Sequence, residues 1–299
     1  MRVKQSFKME KYTYKEEDSQ RLDLYLRNFL EETRSQIKKS IEEGKILVNG
    51  KKVKAGYQLL PGDEISLEKS APYEILPQNL HLDILYEDED LLVVNKPKGL
   101  VVHPGAGEEE SSLVHGLLYL YPDLPVLDDP LRPGIVHRLD KDTEGLLLVA
   151  KNKETMEALF AAFKERKVKK TYQCLVHGHL KEEVLVDEPL GRSPKDRKKM
   201  AVVAGGRPAL SIFRPRLFKR NKSLVNVSII TGRTHQIRVH AAFIGHPILG
   251  DRVYSHKPFY GLTSQALASV SLSFVHPRTG KTLTVTRETP EYFYQVLEK

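Results

Sequence analysis

Short apolar runs, each of a length suited to one strand, follow one another through residues 81–290. Residues 82–97 (LDILYEDEDLLVVNKP) contain two such runs joined by an acidic turn, and residues 266–286 contain two more joined across HPRTG. Helical spacing is clearest in residues 153–167 (KETMEALFAAFKERK), where apolar side chains fall on one face. We therefore expect an α+β fold with a mixed, largely antiparallel central sheet and flanking helices, rather than a doubly wound parallel sheet.

The first part of the chain has a different pattern. Leucine and isoleucine recur at helical spacing in residues 19–43, which predicts two short helices. Residues 45–53 (KILVNGKKV) then predict a hairpin with an Asn-Gly turn, and GDEISL predicts a further strand. Residues 70–80 contain two prolines and few apolar anchors, as linkers do. We expect a small α+β domain at 1–72, a linker at 73–80 and a larger domain at 81–299.

Apolar runs of the length needed to cross a membrane, roughly 18 residues, do not occur in this sequence. The first twenty residues also lack the apolar core of a secretory signal. We expect a cytoplasmic protein that does not enter a membrane. The single cysteine, Cys174, has no partner for an internal disulfide and lies in an apolar run, which favours burial over catalysis.

Basic residues are concentrated between Arg192 and Lys222. This segment has eleven lysines and arginines and one acid, Asp196, a local net charge of +10 against +8 for the whole chain. A dense basic segment favours a phosphate-rich partner, because each neutralised phosphate releases counterions. A solvated loop explains the same composition equally well.

Three chemically distinctive residues, His137, Arg138 and Asp140, stand between two apolar runs in GIVHRLDKDTEGLLLVAKN (134–152). HRLDKDTEGLLLVAK resembles the signature of the RluA/RluD type of pseudouridine synthase. Three further blocks match that family in the same order: LVVNKPKGLVVHPG at 92–105, KKTYQCLVHG at 169–178 and TGRTHQIRVHAAFIGHPILGD at 231–251. Residues 1–72 resemble the S4 RNA-binding module. The combination is most similar to the branch that modifies large-subunit ribosomal RNA.

The resemblance implies isomerisation of uridine to pseudouridine. The bond from C1′ to N1 breaks, the uracil turns, and C1′ joins C5, with no atoms added or removed. By resemblance Asp140 is the catalytic carboxylate, either as a nucleophile at the sugar or as a base at C2′. The resemblance implies that Arg238 pairs with this carboxylate. It also implies that Tyr172 stacks on the uracil, as a candidate for handling the C5 proton, and that Ile237 packs against the other side of the base.

Other residues are assigned by the resemblance to RNA binding. Arg138 is implied to fill the space that the flipped nucleotide leaves in the stack. Arg233 is placed with the substrate-binding residues, as is His137, for which packing or phosphate contact is as plausible as catalysis. In the S4-like domain the candidate RNA-binding residues are basic: Arg34, Lys38, Lys39, Lys45, Lys51 and Lys52. The expected partner is ribosomal RNA or a precursor of the large ribosomal subunit, the expected form is a monomer, and no metal or organic cofactor is expected.

The sequence departs from the family pattern at two positions. Glu144 stands where serine or threonine is usual and adds a carboxylate expected close to the site, and Ala268 replaces a common histidine. Both bear on substrate specificity. A catalytically silent RNA-binding or assembly factor is the main alternative function, although it would not need Asp140, Tyr172 and Arg238 together. A third possible function is that of a hydrolytic nucleosidase, although such an enzyme would not need to retain the base. An assay that measures free uracil and 5-ribosyluracil separates all three functions.

Overall fold

The computed structural model describes residues 7–28, 30, 34–70, 75–104 and 111–299. The chain divides into two compact units, Met1–Glu74 and Ile75–Lys299. Residues 75–80 of the predicted linker belong to the second unit, because Ile75 is buried in its core and the Gln78 N–H donates to the His115 carbonyl. Residues 73 and 74 lie outside the described part of the chain, as do Gly105 of the first family block and residues 29 and 31–33 of the predicted helical stretch.

The first unit is a small α+β structure. Its elements are β1 (Phe7–Thr13), β2 (Gln20–Arg21), α1 (Leu22–Arg27), α2 (Arg34–Glu43), β3 (Ile46–Val48), β4 (Gln58–Leu59) and β5 (Glu64–Ser70). Strands β1, β5 and β3 form one antiparallel sheet, and β2 pairs with β4. The apolar faces of both helices, including Leu22, Leu26, Ile37 and Ile41, are buried against this sheet.

The predicted hairpin at residues 45–53 forms only in part. Asn49 and Gly50 both have positive φ, as a tight turn requires. The second arm is reduced to a single bridge between Val48 and Lys51, and β3 pairs with β5 instead. The turn chemistry was predicted correctly, whereas the strand partner depends on apolar residues farther along the chain.

The second unit contains the strands β6 (Ile84–Glu87), β7 (Leu91–Lys96), β8 (Glu144–Ala150), β9 (Lys169–His177), β10 (Val184–Asp187), β11 (Leu190–Arg192), β12 (Met200–Val202), β13 (Leu210–Lys219), β14 (Lys222–Ile229), β15 (Leu267–Val275) and β16 (Thr282–Thr286). In the described residues, nine of them form one sheet in the order β10-β13-β14-β9-β15-β8-β7-β6, with β16 paired to β15, and β11 and β12 form a separate ribbon. The pairing of β15 with β8 is parallel, and the other pairings described in this sheet are antiparallel. The predicted mixed, largely antiparallel α+β fold is confirmed.

The central strands are buried on both faces. Leu92 and Val94 of β7 belong to one core cluster, whereas Leu91 and Val93 belong to another, as the two-residue period of a strand requires. The helices that flank the sheet are α3 (Leu113–Leu120), α4 (Lys153–Lys164), α5 (Gln236–Phe243) and α6 (Glu291–Glu298). In the described residues, no helix combines the length and apolar character needed to span a membrane.

Gly145 shows how closely β8 approaches β15 beside the polar loop that precedes it. Its φ is +110°, and a Cβ at this position would lie 2.1 Å from the Ser269 carbonyl oxygen. Any side chain would force the two strands apart. The loop 135–143, which carries Asp140, is therefore fixed at its end by a residue without a side chain.

Candidate active site

A cavity of about 420 Å³ lies where the loop 135–143, strand β9 and the start of helix α5 meet. We call it the site cavity. This volume is within the range of ordinary ligand pockets, about 300–1,000 Å³. The structure brings to it all seven site residues predicted in the second domain: Asp140, Tyr172, Arg238, Arg138, Ile237, His137 and Arg233. Residues from blocks far apart in sequence are thus brought together by the fold.

Lys96 holds the loop that carries Asp140. Its side chain is fully buried, and its ammonium donates to the carbonyls of Pro97 (2.8 Å), Leu100 (2.7 Å) and Lys141 (2.9 Å). Burial lowers the pKa of Lys96 to about 8. Lys96 lies within the family block at 92–105, and its position before Pro97 in a polar turn was the one sequence signal for this role.

Arg238 is held mainly by a residue that the sequence analysis missed. Its Nε donates to Asp251 Oδ2 (2.7 Å) and its Nη2 to Asp251 Oδ1 (2.9 Å). The remaining Nη1 donates to Asp140 Oδ2 at 3.4 Å. The predicted pairing of Arg238 with Asp140 is thus present in the structure, but the shorter, bidentate partner is Asp251.

Asp251 is fully buried, and it also accepts from the N–H groups of Val253 and Tyr254. Burial alone would raise the pKa of Asp251, but the hydrogen bonds and charge of Arg238 lower it overall. The carboxylate therefore stays ionised and neutralises a guanidinium that is itself only 6% exposed. In the sequence, Asp251 follows directly after the apolar run PILG. The sequence pattern does not show that this aspartate pairs with an arginine thirteen residues earlier.

Tyr254 and His235 complete this polar network. The Tyr254 hydroxyl accepts from the Met200 N–H (3.0 Å), so its own hydrogen is available for His235 Nδ1 at 2.9 Å. That assignment places a proton on His235 Nε2, which lies 4.0 Å from Asp140 Oδ2. The Tyr254 ring also lies 5.2 Å from the Arg238 guanidinium carbon. Both cationic and neutral donors therefore surround one side of Asp140.

Tyr172 and Ile237 line the site cavity with small exposed fractions, 6% and 5%. Tyr172 lies on β9 and Ile237 in the first turn of α5, and both belong to the same core cluster. Burial, and next the charge of Asp140, raises the pKa of Tyr172. The phenol therefore stays protonated and uncharged at neutral pH where it lines the cavity.

Arg138 and His137 are adjacent in sequence but differ in environment. Arg138 is exposed, and its Nη1 lies 3.4 Å from His103 Nε2. His137 Nε2 accepts from the Leu148 N–H (2.8 Å), and its ring stacks on Phe163 with the centroids 4.8 Å apart. Burial lowers the pKa of His137 to about 3, so the ring is neutral. His137 lines the cavity, but its acceptor nitrogen is already engaged by the backbone.

Arg233 and the two departures from the family pattern have defined surroundings. Arg233 Nε donates to the Pro208 carbonyl (3.1 Å).

Glu144 accepts from Tyr292 (2.7 Å) and Arg287 (3.2 Å) and does not line the cavity. The Glu144 carboxylate, expected close to the site, is therefore engaged by Arg287 and Tyr292 instead of lining the cavity. Ala268 is buried in β15 and pairs with the backbone of β8 and β9.

The basic segment 192–222 is divided among several strands and turns. Its first part turns between β11 and β12, and this ribbon is tied to the site by the Met200–Tyr254 hydrogen bond. Its second part runs into the sheet, where Arg214 pairs with Glu183 (2.5 Å) and Lys219 with Glu298 (2.5 Å). The count of +10 in the sequence therefore overstates the charge that one phosphate-rich partner would meet.

The basic residues predicted in the first unit also differ from one another. Four take part in ion pairs: Arg34 with Asp23 (2.9 Å), Lys38 with Glu42 (3.8 Å), Lys39 with Glu43 (3.6 Å) and Lys45 with Glu43 (2.6 Å). Lys51 and Lys52 are exposed. Surface ion pairs contribute little free energy, about 0–1 kcal/mol, so they leave these lysines able to exchange partners.

Comparison with known proteins agrees with this fold and site. The sequence pattern of a family described as RNA pseudouridylate synthase matches residues 90–243, and that of the S4 domain matches residues 20–65. The chain is 39% identical over 287 residues to an uncharacterized RNA pseudouridine synthase of Bacillus subtilis, covering 95% of each. It is 38% identical to the ribosomal large subunit pseudouridine synthase D of Escherichia coli K12, covering 93% of this chain and 90% of that one. Among solved structures, human RNA Pseudouridylate Synthase Domain Containing 1 has a TM-score of 0.58 and 28% identity, and the match covers 74% of this chain and 86% of that one.

The family match and the likeness to solved structures place this mixed sheet in the pseudouridine synthase class of RNA-modifying isomerases. The chain belongs to the RNA pseudouridylate synthase family and has an S4 domain. The resemblance found in the sequence is confirmed, as is its conclusion that the protein is an isomerase.

Proposed function

We propose that this synthase isomerises uridine in large-subunit ribosomal RNA and that Asp140 is its catalytic carboxylate. One observation carries the second part. Among the described residues that line the site cavity, Asp140 is the one carboxylate, and a guanidinium donates to it. The choice of RNA is supported by relatives named ribosomal large subunit pseudouridine synthase D, from Escherichia coli and Haemophilus ducreyi, and by the S4 domain.

The carboxylate has two routes open to it. As a nucleophile, Asp140 forms a bond to C1′ while the C1′–N1 bond breaks and its electron pair stays on the uracil; C5 then attacks C1′ and displaces the carboxylate. As a base, Asp140 removes the proton from C2′ while the same bond breaks, which leaves a double bond between C1′ and C2′; C1′ then bonds to C5 and the proton returns to C2′. In both routes N1 gains a proton and C5 loses one. A primary isotope effect with RNA deuterated at C2′ of the target is expected for the second route and not for the first.

The surroundings of Asp140 fit either route. Arg238, held by two hydrogen bonds to Asp251, donates to the Asp140 carboxylate and fixes its orientation. Tyr172 and Ile237 supply apolar surfaces that retain the detached uracil while it turns. A site built to retain the base favours isomerisation over release of free uracil.

Arg138 is proposed to enter the RNA stack when the target nucleotide is flipped out. Its exposed side chain and its place two residues before Asp140 support this role, since both residues line the same cavity. The substrate is proposed to be ribosomal RNA or a large-subunit precursor, bound in the cytoplasm by a monomer with the help of the basic residues of the first domain.

The proposed substrate is tested by incubating the purified protein with transcripts of large-subunit ribosomal RNA, small-subunit ribosomal RNA and transfer RNA, and then mapping pseudouridine chemically. We expect modification at discrete uridines of the large-subunit RNA, with no free uracil. Modification confined to either of the other RNAs would overturn the choice of substrate. Release of uracil would overturn the proposed retention of the base.

A further inference from the structure

Part of the site cavity has no role in the chemistry described above. Lys170 and Tyr172 are two residues apart on β9 and therefore project from the same face of the strand, about 7 Å apart along it. Lys170 lines the cavity together with Phe160, Phe163 and Lys164 from the last turns of α4. This wall combines cations with aromatic rings beside the place proposed for the target uridine.

The half-buried Lys170 differs from the buried Lys96 in the partners of its ammonium. Lys96 donates to three carbonyls. Lys170 lies 5.6 Å from the Phe163 ring centroid, and among the described residues neither a carboxylate nor another hydrogen-bond acceptor meets its ammonium. Burial lowers its pKa to about 8. A desolvated cation facing a cavity costs free energy unless an anion occupies that cavity.

Phe160 adds a second, different feature to this wall. It is a large apolar side chain that is 40% exposed, and it precedes the exposed Lys164 by one helical turn. Single-stranded nucleic acids are commonly bound by such pairs, in which an aromatic ring stacks on a base and a cation meets the backbone.

We propose that Lys170, assisted by Lys164, binds a phosphate adjacent to the target uridine and that Phe160 stacks on a neighbouring base. This subsite deepens the proposed function and rests on it. The RNA strand then leaves the uridine site along β9 toward the end of α4. Binding here contributes affinity and register, whereas Asp140 performs the chemistry.

The phosphate contact is tested with Lys170→Gln in the full-length protein and RNA oligonucleotides that carry one neutral methylphosphonate linkage. The linkage is moved through the positions on both sides of the target uridine. Lys170→Gln should bind unmodified RNA about ten-fold more weakly, the effect of losing one charge-assisted hydrogen bond. At one position the methylphosphonate should weaken binding by the wild type about ten-fold as well, and it should not weaken binding by Lys170→Gln any further. The salt dependence of binding should also become shallower, by roughly 0.7 in slope.

Lys169→Gln is the matched control, because Lys169 is the neighbouring exposed lysine on the opposite face of β9. It should bind every oligonucleotide as the wild type does. A folding defect is separated by thermal unfolding without RNA: Lys170→Gln removes a desolvated charge and should be at least as stable as the wild type. If the loss of affinity caused by Lys170→Gln adds to the loss caused by the methylphosphonate at every position, the proposed phosphate contact is overturned.

Phe160→Ala tests the stacking contact against RNA with an abasic residue beside the target. The variant and the abasic substitution should each weaken binding, and together they should weaken it no further. If the losses of affinity caused by Phe160→Ala and by the abasic residue add at every flanking position, the proposed stacking is overturned. Wild-type protein that forms no pseudouridine in large-subunit RNA would instead refute the proposed function, so the two failures are distinguishable.

Discussion

The bidentate ion pair between Asp251 and Arg238 should determine both stability and rate. Asp251→Asn removes the charge from a fully buried position and leaves Arg238 with Asp140 Oδ2, at 3.4 Å, as its remaining carboxylate. Breaking a buried pair from one side costs about 3–5 kcal/mol. The asparagine oxygen still accepts from the Val253 and Tyr254 N–H groups, so we expect the lower end, about 3 kcal/mol less free energy of unfolding.

The same change should slow the reaction. A guanidinium held by one long hydrogen bond no longer fixes Asp140, and a misplacement of about 1 Å can lower a rate about 100-fold. The assays are urea denaturation and single-turnover pseudouridine formation, with Asp123→Asn as the control because Asp123 is exposed. The double variant Arg238→Met, Asp251→Leu should regain part of the stability but not the rate. An Asp251→Asn protein with the stability and rate of the wild type would refute the reasoning.

Three further results are expected. Lys96→Met should lower the single-turnover rate and the melting temperature, because three carbonyls around the Asp140 loop lose their donor; an unchanged rate would contradict that positioning role. Burial lowers the pKa of His137 from 6.5 to about 3. The free energy of unfolding should therefore fall between pH 6.5 and about pH 3, by up to about 1.4 kcal/mol for each pH unit. His137→Gln should weaken this pH dependence, as measured by the urea midpoint. Arg138→Ala should slow modification of a folded stem-loop more than that of unstructured RNA, and equal losses on both would argue against a role in flipping.

The sequence predicted those parts of the molecule whose information is local. The consecutive apolar residues of β7 and β8 specify strands buried on both faces, and the contiguous family blocks name residues that the fold then gathers into one cavity. The turn at Asn49 and Gly50 was predictable for the same reason, since positive φ is a property of those two residues.

Features that depend on side-chain direction were not predictable. Asp251 ends the family block at 231–251, but the sequence pattern does not show which of two carboxylates accepts the short hydrogen bonds of Arg238. The paired state of Glu144 depends on Arg287 and Tyr292, which come from the far end of the chain. The net charge of residues 192–222 was likewise summed from composition, which does not show that Arg214 pairs with Glu183 and Lys219 with Glu298.

The central claim is that Asp140 performs the chemistry, and Asp140→Asn tests it most directly. The matched control is Asp142→Asn, which removes a carboxylate from the same loop without changing the site cavity. Single-turnover pseudouridine formation should fall by several orders of magnitude for Asp140→Asn, with RNA affinity within a few-fold of the wild type, and should change little for Asp142→Asn. Pseudouridine formation by Asp140→Asn at the wild-type rate would contradict the account.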